Sequence, residues 1–168
     1  IAKLLVDHGV KVLTTLEGRS AASESRAAAA GMVAVAPEHL VKADFLLSIV
    51  PPGSALTFAE QMVPALRDAQ GKPLFVDCNA VSPTTVERIG DVVERTGTPF
   101  VDASIIGLPA DRECPHIYVS GKHAPRVEAL RGYGLDIRVL DGPVGSASAL
   151  KMCYAGINKG VTAVATAM

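Results

Sequence analysis

The segment richest in possible chemistry is Gly142-Pro143-Val144-Gly145-Ser146-Ala147-Ser148-Ala149-Leu150-Lys151. Two glycines let the backbone turn tightly into a helix, whose first turn would present small side chains and free N–H groups to an anionic ligand. Lys151 follows, flanked by Ala149, Leu150, Met152 and Cys153. Such an apolar setting lowers an ammonium's pKa toward the range in which it exchanges protons near neutrality. At helical spacing Ser148, Lys151, Tyr154 or Ala155, and Asn158 share a face, so a hydroxyl, an amine and an amide could converge there. The bland alternative is a lysine that extends its stem from a core helix to water.

Three further segments combine a turn with a useful side chain. In Glu17-Gly18-Arg19-Ser20, an arginine beside a hydroxyl suits a phosphate, whereas Glu17 would suit a ribose diol. Arg19 could also simply be solvated at a helix start. Val50-Pro51-Pro52-Gly53 sets a rigid wall at the end of an apolar run, with a glycine that lets backbone approach a ligand. Asp77-Cys78-Asn79-Ala80-Val81-Ser82-Pro83 puts an amide just past a second apolar run. Asn79 would there orient a nicotinamide carboxamide or ribose, or else build the turn itself.

These segments need a scaffold, and the pattern of the chain supplies one. An amphipathic helix opens the sequence, and β-branched or apolar runs over 10–15, 32–36, 45–50, 73–78, 100–103, 117–120 and 137–140 read as strands. Helical spacing separates them: an Ala-rich stretch over 21–30, a short turn over 37–40, then 54–67, 82–96 with Ser82 as cap and Pro83 behind it, and a weaker helix over 124–132. A last helix starts at Gly145 or Ser146. The alternation predicts an α/β fold, a doubly wound, mostly parallel sheet of Rossmann type, in which ligands bind at the carboxyl ends of the strands.

Composition narrows the ligand. A net charge of -1, with Lys and Arg dispersed, offers neither a nucleic acid stripe nor a membrane-binding patch, so a small molecule is expected. Cys78, Cys114 and Cys153 show no metal-ligand or disulfide spacing; no metal is expected, and reduced thiols fit a cytoplasmic location. The apolar run over 156–168 at the end of the sequence suggests an element that continues.

Taken together, the segments resemble the β-hydroxyacid dehydrogenases, the group of 3-hydroxyisobutyrate and 6-phosphogluconate dehydrogenases, and in particular a less characterised phosphogluconate-dehydrogenase-like branch. Arg19-Ser20 is similar to the family's Asn-Arg-Ser/Thr turn, Ser48-Ile49-Val50-Pro51-Pro52 to its cofactor-covering loop, and the segment holding Asn79 to the one beside the nicotinamide. Asp102-Ala103-Ser104-Ile105-Ile106-Gly107 resembles the substrate motif Asp-Ala-Pro-Val-Ser-Gly-Gly, with Ile106-Gly107-Leu108 where the family has Ser-Gly-Gly. The segment from Gly142 to Lys151 resembles the glycine-rich stretch that ends in the catalytic lysine. The order and spacing of the motifs follow the family over nearly the whole chain.

The resemblance implies an NAD(P)-binding domain over 1–141 and the start of an all-α domain over 142–168, with the family's first strand and Gly-x-Gly-x-x-Gly loop expected ahead of Ile1. It implies NADP, or NAD, as cofactor, held by Arg19, Ser20, Val50, Pro51, Pro52 and Asn79. Ser104, Ile106, Gly107, Ser148, Tyr154 and Asn158 would contact a hydroxyacid-type substrate, and the assembly would be a homodimer. Lys151 would act as general acid/base in oxidising a β-hydroxyacid. Imine reductases of the same fold lack this lysine, which favours alcohol chemistry. The competing reading is a catalytically silent nucleotide-binding or assembly module.

Overall fold

The computed structural model describes residues 1–107 and 115–167. Leu108 of the substrate motif, Cys114 and Met168 lie outside the described residues.

Strands β1 (Leu13–Thr14) and β2 (Val33–Ala34) form a parallel pair, and β3 (Phe45–Ser48), β4 (Leu74–Asp77), β5 (Phe100–Ile106), β6 (His116–Ser120) and β7 (Asp136–Val139) form a second sheet in that order. Strands β3, β4 and β5 run parallel, β6 runs antiparallel to β5, and β7 follows β6 in parallel. Helices α1 (Ala2–Asp7), α2 (Ala21–Ala29), α3 (Ala55–Asp68), α4 (Pro83–Glu94) and α5 (Ser146–Ala167) connect or follow the strands. The mostly parallel α/β sheet expected from the alternation is present. Its division into two hydrogen-bonded sheets was not foreseen. Val10, Val12, Phe45 and Leu47 nevertheless pack against one apolar cluster, and Leu13, Val35 and Val50 against the other, so the two sheets share covers on both faces.

Local signals explain most boundaries. The Ser82 hydroxyl accepts from the Thr85 N–H at 3.1 Å with Pro83 in the first turn of α4, which satisfies one donor that a helix start leaves unpaired. Every residue of β4 is buried, as the apolar run Leu74-Phe75-Val76 requires of a strand covered on both faces. The expected helix near 124–132 is instead a 3-10 segment, Ala124–Tyr133, closed by left-handed Gly134. Pro125 and Gly132 within that segment disfavour regular α-helix.

One face of the sheet packs Val76, Val101, Val119 and Ile137 beneath Leu5, Val127 and Leu130. The other packs Phe75 and Phe100, rings stacked at 5.8 Å, beneath Met62 and Leu66 of α3 and Val86, Ile89 and Val93 of α4. Gly90 lets α4 lie on Phe100, since a Cβ there would fall 3.1 Å from the ring. This second face is also where α5 begins.

Candidate active site

Ser48, Asp77, Asp102 and Ser120 are direct neighbours across β3, β4, β5 and β6, and none is more than 1% exposed. A buried polar row survives only when its groups are paired. Here two networks, one over each aspartate, do the pairing.

The first network centres on Asn79. Its Nδ2 donates to Ser48 Oγ and to Asp77 Oδ2, both at 2.9 Å, its Oδ1 accepts from the Val50 N–H at 2.7 Å, and its own N–H donates to Asp77 Oδ1 at 3.0 Å. Both amide hydrogens are thereby used inside the protein. Asn79 ties the end of β4 to the Val50-Pro51-Pro52 loop, whose prolines are exposed while Val50 is half-buried. The turn-building role weighed for Asn79 therefore accounts for the bonds it makes. Burial raises the Asp77 pKa above the usual carboxylate value, and the charge of Asp102 adds to that, against the hydrogen bonds from Asn79 and Ser48.

The second network centres on Asp102. Its Oδ2 accepts from the Ser120 hydroxyl at 3.1 Å, the Gly145 N–H at 2.9 Å and the Ser148 N–H at 3.0 Å, while Oδ1 accepts from the Ser148 hydroxyl at 2.7 Å. Ser120 Oγ in turn accepts from the Ala147 N–H at 3.0 Å. The expectation that α5 offers free N–H groups to an anionic substrate is thus overturned: Asp102 and Ser120 already occupy those of Ala147 and Ser148. The Ser148 hydroxyl, 1% exposed, is committed to Asp102. Gly145, at φ +100°, allows the tight entry; a Cβ there would stand 3.2 Å from Glu87 Oε1.

Lys151 lies three residues beyond Ser148 on the same side of α5 and is half-buried. Burial lowers its pKa from the ordinary lysine value, and the nearby Cys78 thiol opposes that shift. Burial, with Asp77 second, pushes the Cys78 thiol well up. Beyond Lys151 the helix leaves the body: Tyr154 is 51% exposed, and Asn158 is exposed with its Nδ2 bonded to the Tyr154 carbonyl. Ala155, not Tyr154, continues the inner face.

The other sequence-predicted positions are distributed around this centre. Ser104, fully buried, stands two residues past Asp102 on the same face of β5, and its hydroxyl has no hydrogen-bond partner among the described residues. Ile106 is buried, and Gly107 has φ +136° with Pro115 3.3 Å from where a Cβ would be. Arg19 is exposed before α2, and Ser20 caps that helix by accepting from the Ser23 N–H at 3.4 Å. The parts of Asp102, Ser48 and Ser120 were missed. Their signal was a polar residue within a mostly apolar strand, at the end of β3, β4 and β6 and third in β5. A separate group on β6 and β7, His116 with Asp136 at 2.5 Å and Arg138 with Asp136 at 3.1 Å, was also not foreseen. Among the described residues no cluster of His, Cys, Asp and Glu is placed to hold a metal, and no helix is long and apolar enough to cross a membrane.

No protein-family model matches the chain. A curated relative from Methanothermus fervidus, an uncharacterised 28.5 kDa protein encoded in a 7S RNA 5′ region, is 34% identical over 157 residues, 92% of this chain and 59% of the relative. A solved conserved protein of unknown function, described as structurally similar to 3-hydroxyacid dehydrogenases, superposes with a TM-score of 0.85 at 34% identity, covering 97% of this chain and 61% of its own. Its agreement at both sequence and backbone level decides the assignment. The chain has the β-hydroxyacid dehydrogenase family fold. Mycobacterium tuberculosis 3-hydroxyisobutyrate dehydrogenase with L-serine (TM-score 0.77, 23% identity, 93% of this chain and 54% of that one) shares this fold. So does an imine reductase from Myxococcus stipitatus in complex with NADP+ (0.80, 16%, 98% and 58%). The β-hydroxyacid dehydrogenase fold is an NAD(P)-binding oxidoreductase fold, and the chain spans about three fifths of the length of the first two proteins it matches.

Proposed function

We propose that the whole protein is an NAD(P)-dependent dehydrogenase that oxidises a β-hydroxyacid or related hydroxyl compound, with Lys151 handling the proton. The observation that carries this reading is Lys151 itself: a half-buried amine, its pKa lowered by burial, on a helix anchored to the carboxyl end of the sheet. A deprotonated amine is what abstraction of a hydroxyl proton requires, and a lowered pKa makes that form accessible nearer neutrality.

The residues present fit a dinucleotide in part. Exposed Arg19, beside the Ser20-capped start of α2, has the charge and hydrogen-bonding geometry to hold a 2′-phosphate, which favours NADP over NAD. Val50, Pro51 and Pro52, held by Asn79, would wall the nicotinamide side. A glycine-rich turn for the pyrophosphate is not among these residues. When bound, the nicotinamide supplies the two-electron acceptor. Lys151 Nζ would take the substrate hydroxyl proton, while Ser104, Ile106 and Gly107 would shape the substrate side, with Tyr154 and Asn158 reached only when a second domain folds over α5. We also propose that residues 142–168 begin that helical domain and that the protein pairs as a homodimer.

The test is a screen of small hydroxyacids for NAD(P)H formation by the whole protein, wild type against Lys151→Ala. Turnover that depends on Lys151 supports the dehydrogenase. Cofactor binding without turnover of any hydroxyacid would support the silent nucleotide-binding module.

A further inference from the structure

Helix α5 has no side chain of its own at the cap, because the residue before Ser146 is Gly145. A local hydroxyl was available in Ser148, yet that hydroxyl donates to Asp102. The helix start is instead satisfied from β5, by a carboxylate 43 residues away from Gly145 and 46 from Ser148, with Ser120 of β6 taking the Ala147 N–H. A local cap stabilises a helix wherever it goes; a cap supplied by a strand also fixes where the helix starts relative to that strand. Asp102 is fully buried, and its carboxylate is tolerable there only because four donors converge on it: the N–H groups of Gly145, just before α5, and of Ser148, and the hydroxyls of Ser120 and Ser148.

We infer that Asp102 is a positioning residue for Lys151: it takes the place of an external anion at the start of α5 and so sets the lysine's location against the ends of β4 and β5. The inference rests on the reading of Lys151 as the proton carrier. Lys151 follows Ser148 by less than one turn, about 4.5 Å of rise, too short for the helix to absorb a displaced start. The same contacts close the α5 N-terminus to the substrate. An anionic group on the substrate must then be held by other residues, and the role of Ser148 is to brace Asp102.

The experiment compares wild type with Asp102→Asn in the whole protein. Asparagine keeps the volume but turns an N–H₂ toward donors. Two readouts need no turnover: the pH dependence of Lys151 acylation, mapped by peptide mass spectrometry, and amide exchange at Gly145 and Ser148. We expect exchange at both amides to accelerate at least tenfold and Lys151 to titrate closer to an ordinary lysine. Where turnover is measurable, kcat should fall with little change in KM, and the ascending limb of the pH–rate profile should move with the amine. Unchanged Lys151 titration and unchanged exchange would overturn the inference. If Asp102→Asn does not fold, Ser120→Ala and Ser148→Ala each remove one donor and should move both readouts in the same direction by less; no movement in either variant would equally overturn it. A shifted Lys151 titration in a protein whose turnover survives Lys151→Ala would uphold the positioning role and sink the dehydrogenase reading instead.

Discussion

Replacing Lys151 by alanine should separate chemistry from stability. No hydrogen bond or ion pair of Lys151 occurs among the described contacts, and the residue is half-buried on a helix, where alanine is at least as good a helix former. Loss of the packed stem is the main structural cost, so the folded protein should change by no more than about 1 kcal/mol. A proton-transfer group acts chiefly in the transition state, and its removal typically lowers turnover by roughly 10²- to 10⁴-fold, about 3 to 5 kcal/mol of barrier. The pH dependence follows from the same amine. Because burial lowers its pKa, the neutral base should be populated at lower pH than an ordinary lysine would allow, and oxidation should rise with pH along a limb below that of free lysine. Steady-state kinetics and thermal unfolding on the same preparation provide the assay, with cofactor affinity measured alongside. Near wild-type turnover per folded molecule in Lys151→Ala, or a rate limb that survives the substitution, would refute the mechanism.

Further outcomes can be checked independently. Arg19→Ala should weaken NADP binding roughly ten- to a hundredfold while leaving NAD almost unchanged, as loss of a charge-assisted phosphate contact does; an unaltered NADP/NAD ratio would turn attention to Glu17. Asp136, held below the usual carboxylate pKa by Arg138 and then by His116, should titrate at lower pH by carbon-detected NMR, and Arg138→Ala should raise it. Its stabilising contribution is present above the unfolded carboxylate value and lost as pH falls through the lowered folded value. Finally, Ile157, Val161 and Val164 on α5 are 67%, 65% and 64% exposed, so the 168-residue chain on its own should self-associate in light scattering, and a monodisperse monomer would contradict the proposed covering surface.

The scaffold was legible because its signals are local. The mostly apolar runs of β3 and β4, the Ser82-Pro83 cap and the alternation of elements all follow from periodicity and turn chemistry within a few residues. What escaped the sequence depends on register. That Ser48, Asp77, Asp102 and Ser120 lie side by side is a property of strand pairing, which no single strand encodes. For the same reason the glycine-rich start of α5 was legible as a helix entry while its N–H groups were wrongly expected to be free: their partner is 43 or more residues upstream. The Ala124–Tyr133 segment failed for a different reason, since periodicity alone does not distinguish α from 3-10 geometry in a short stretch carrying proline and glycine.

The two aspartates of the row illustrate how one arrangement can serve two tasks. They are adjacent in register and both fully buried, and the charge of Asp102 raises the cost of charge on Asp77. The two networks pair these carboxyls with different donors. Asp102 receives two backbone N–H groups from the start of α5, where the helix dipole also favours negative charge, together with two hydroxyls. Asp77 receives one backbone N–H and amide and hydroxyl contacts from Asn79 and Ser48, and its pKa is raised. Lowering the pH should therefore protonate Asp77 readily, and because its folded pKa exceeds the unfolded value, stability attributable to this group falls as pH rises between the two. The arrangement thus places the carboxyl of raised pKa beside the Asn79 amide that holds the Val50-Pro51-Pro52 loop, and the carboxyl that receives the helix-start N–H groups at the entry to α5. Exchanging the two roles would require moving the start of α5 by one strand, so the order of the row and the location of the lysine are consequences of the same packing.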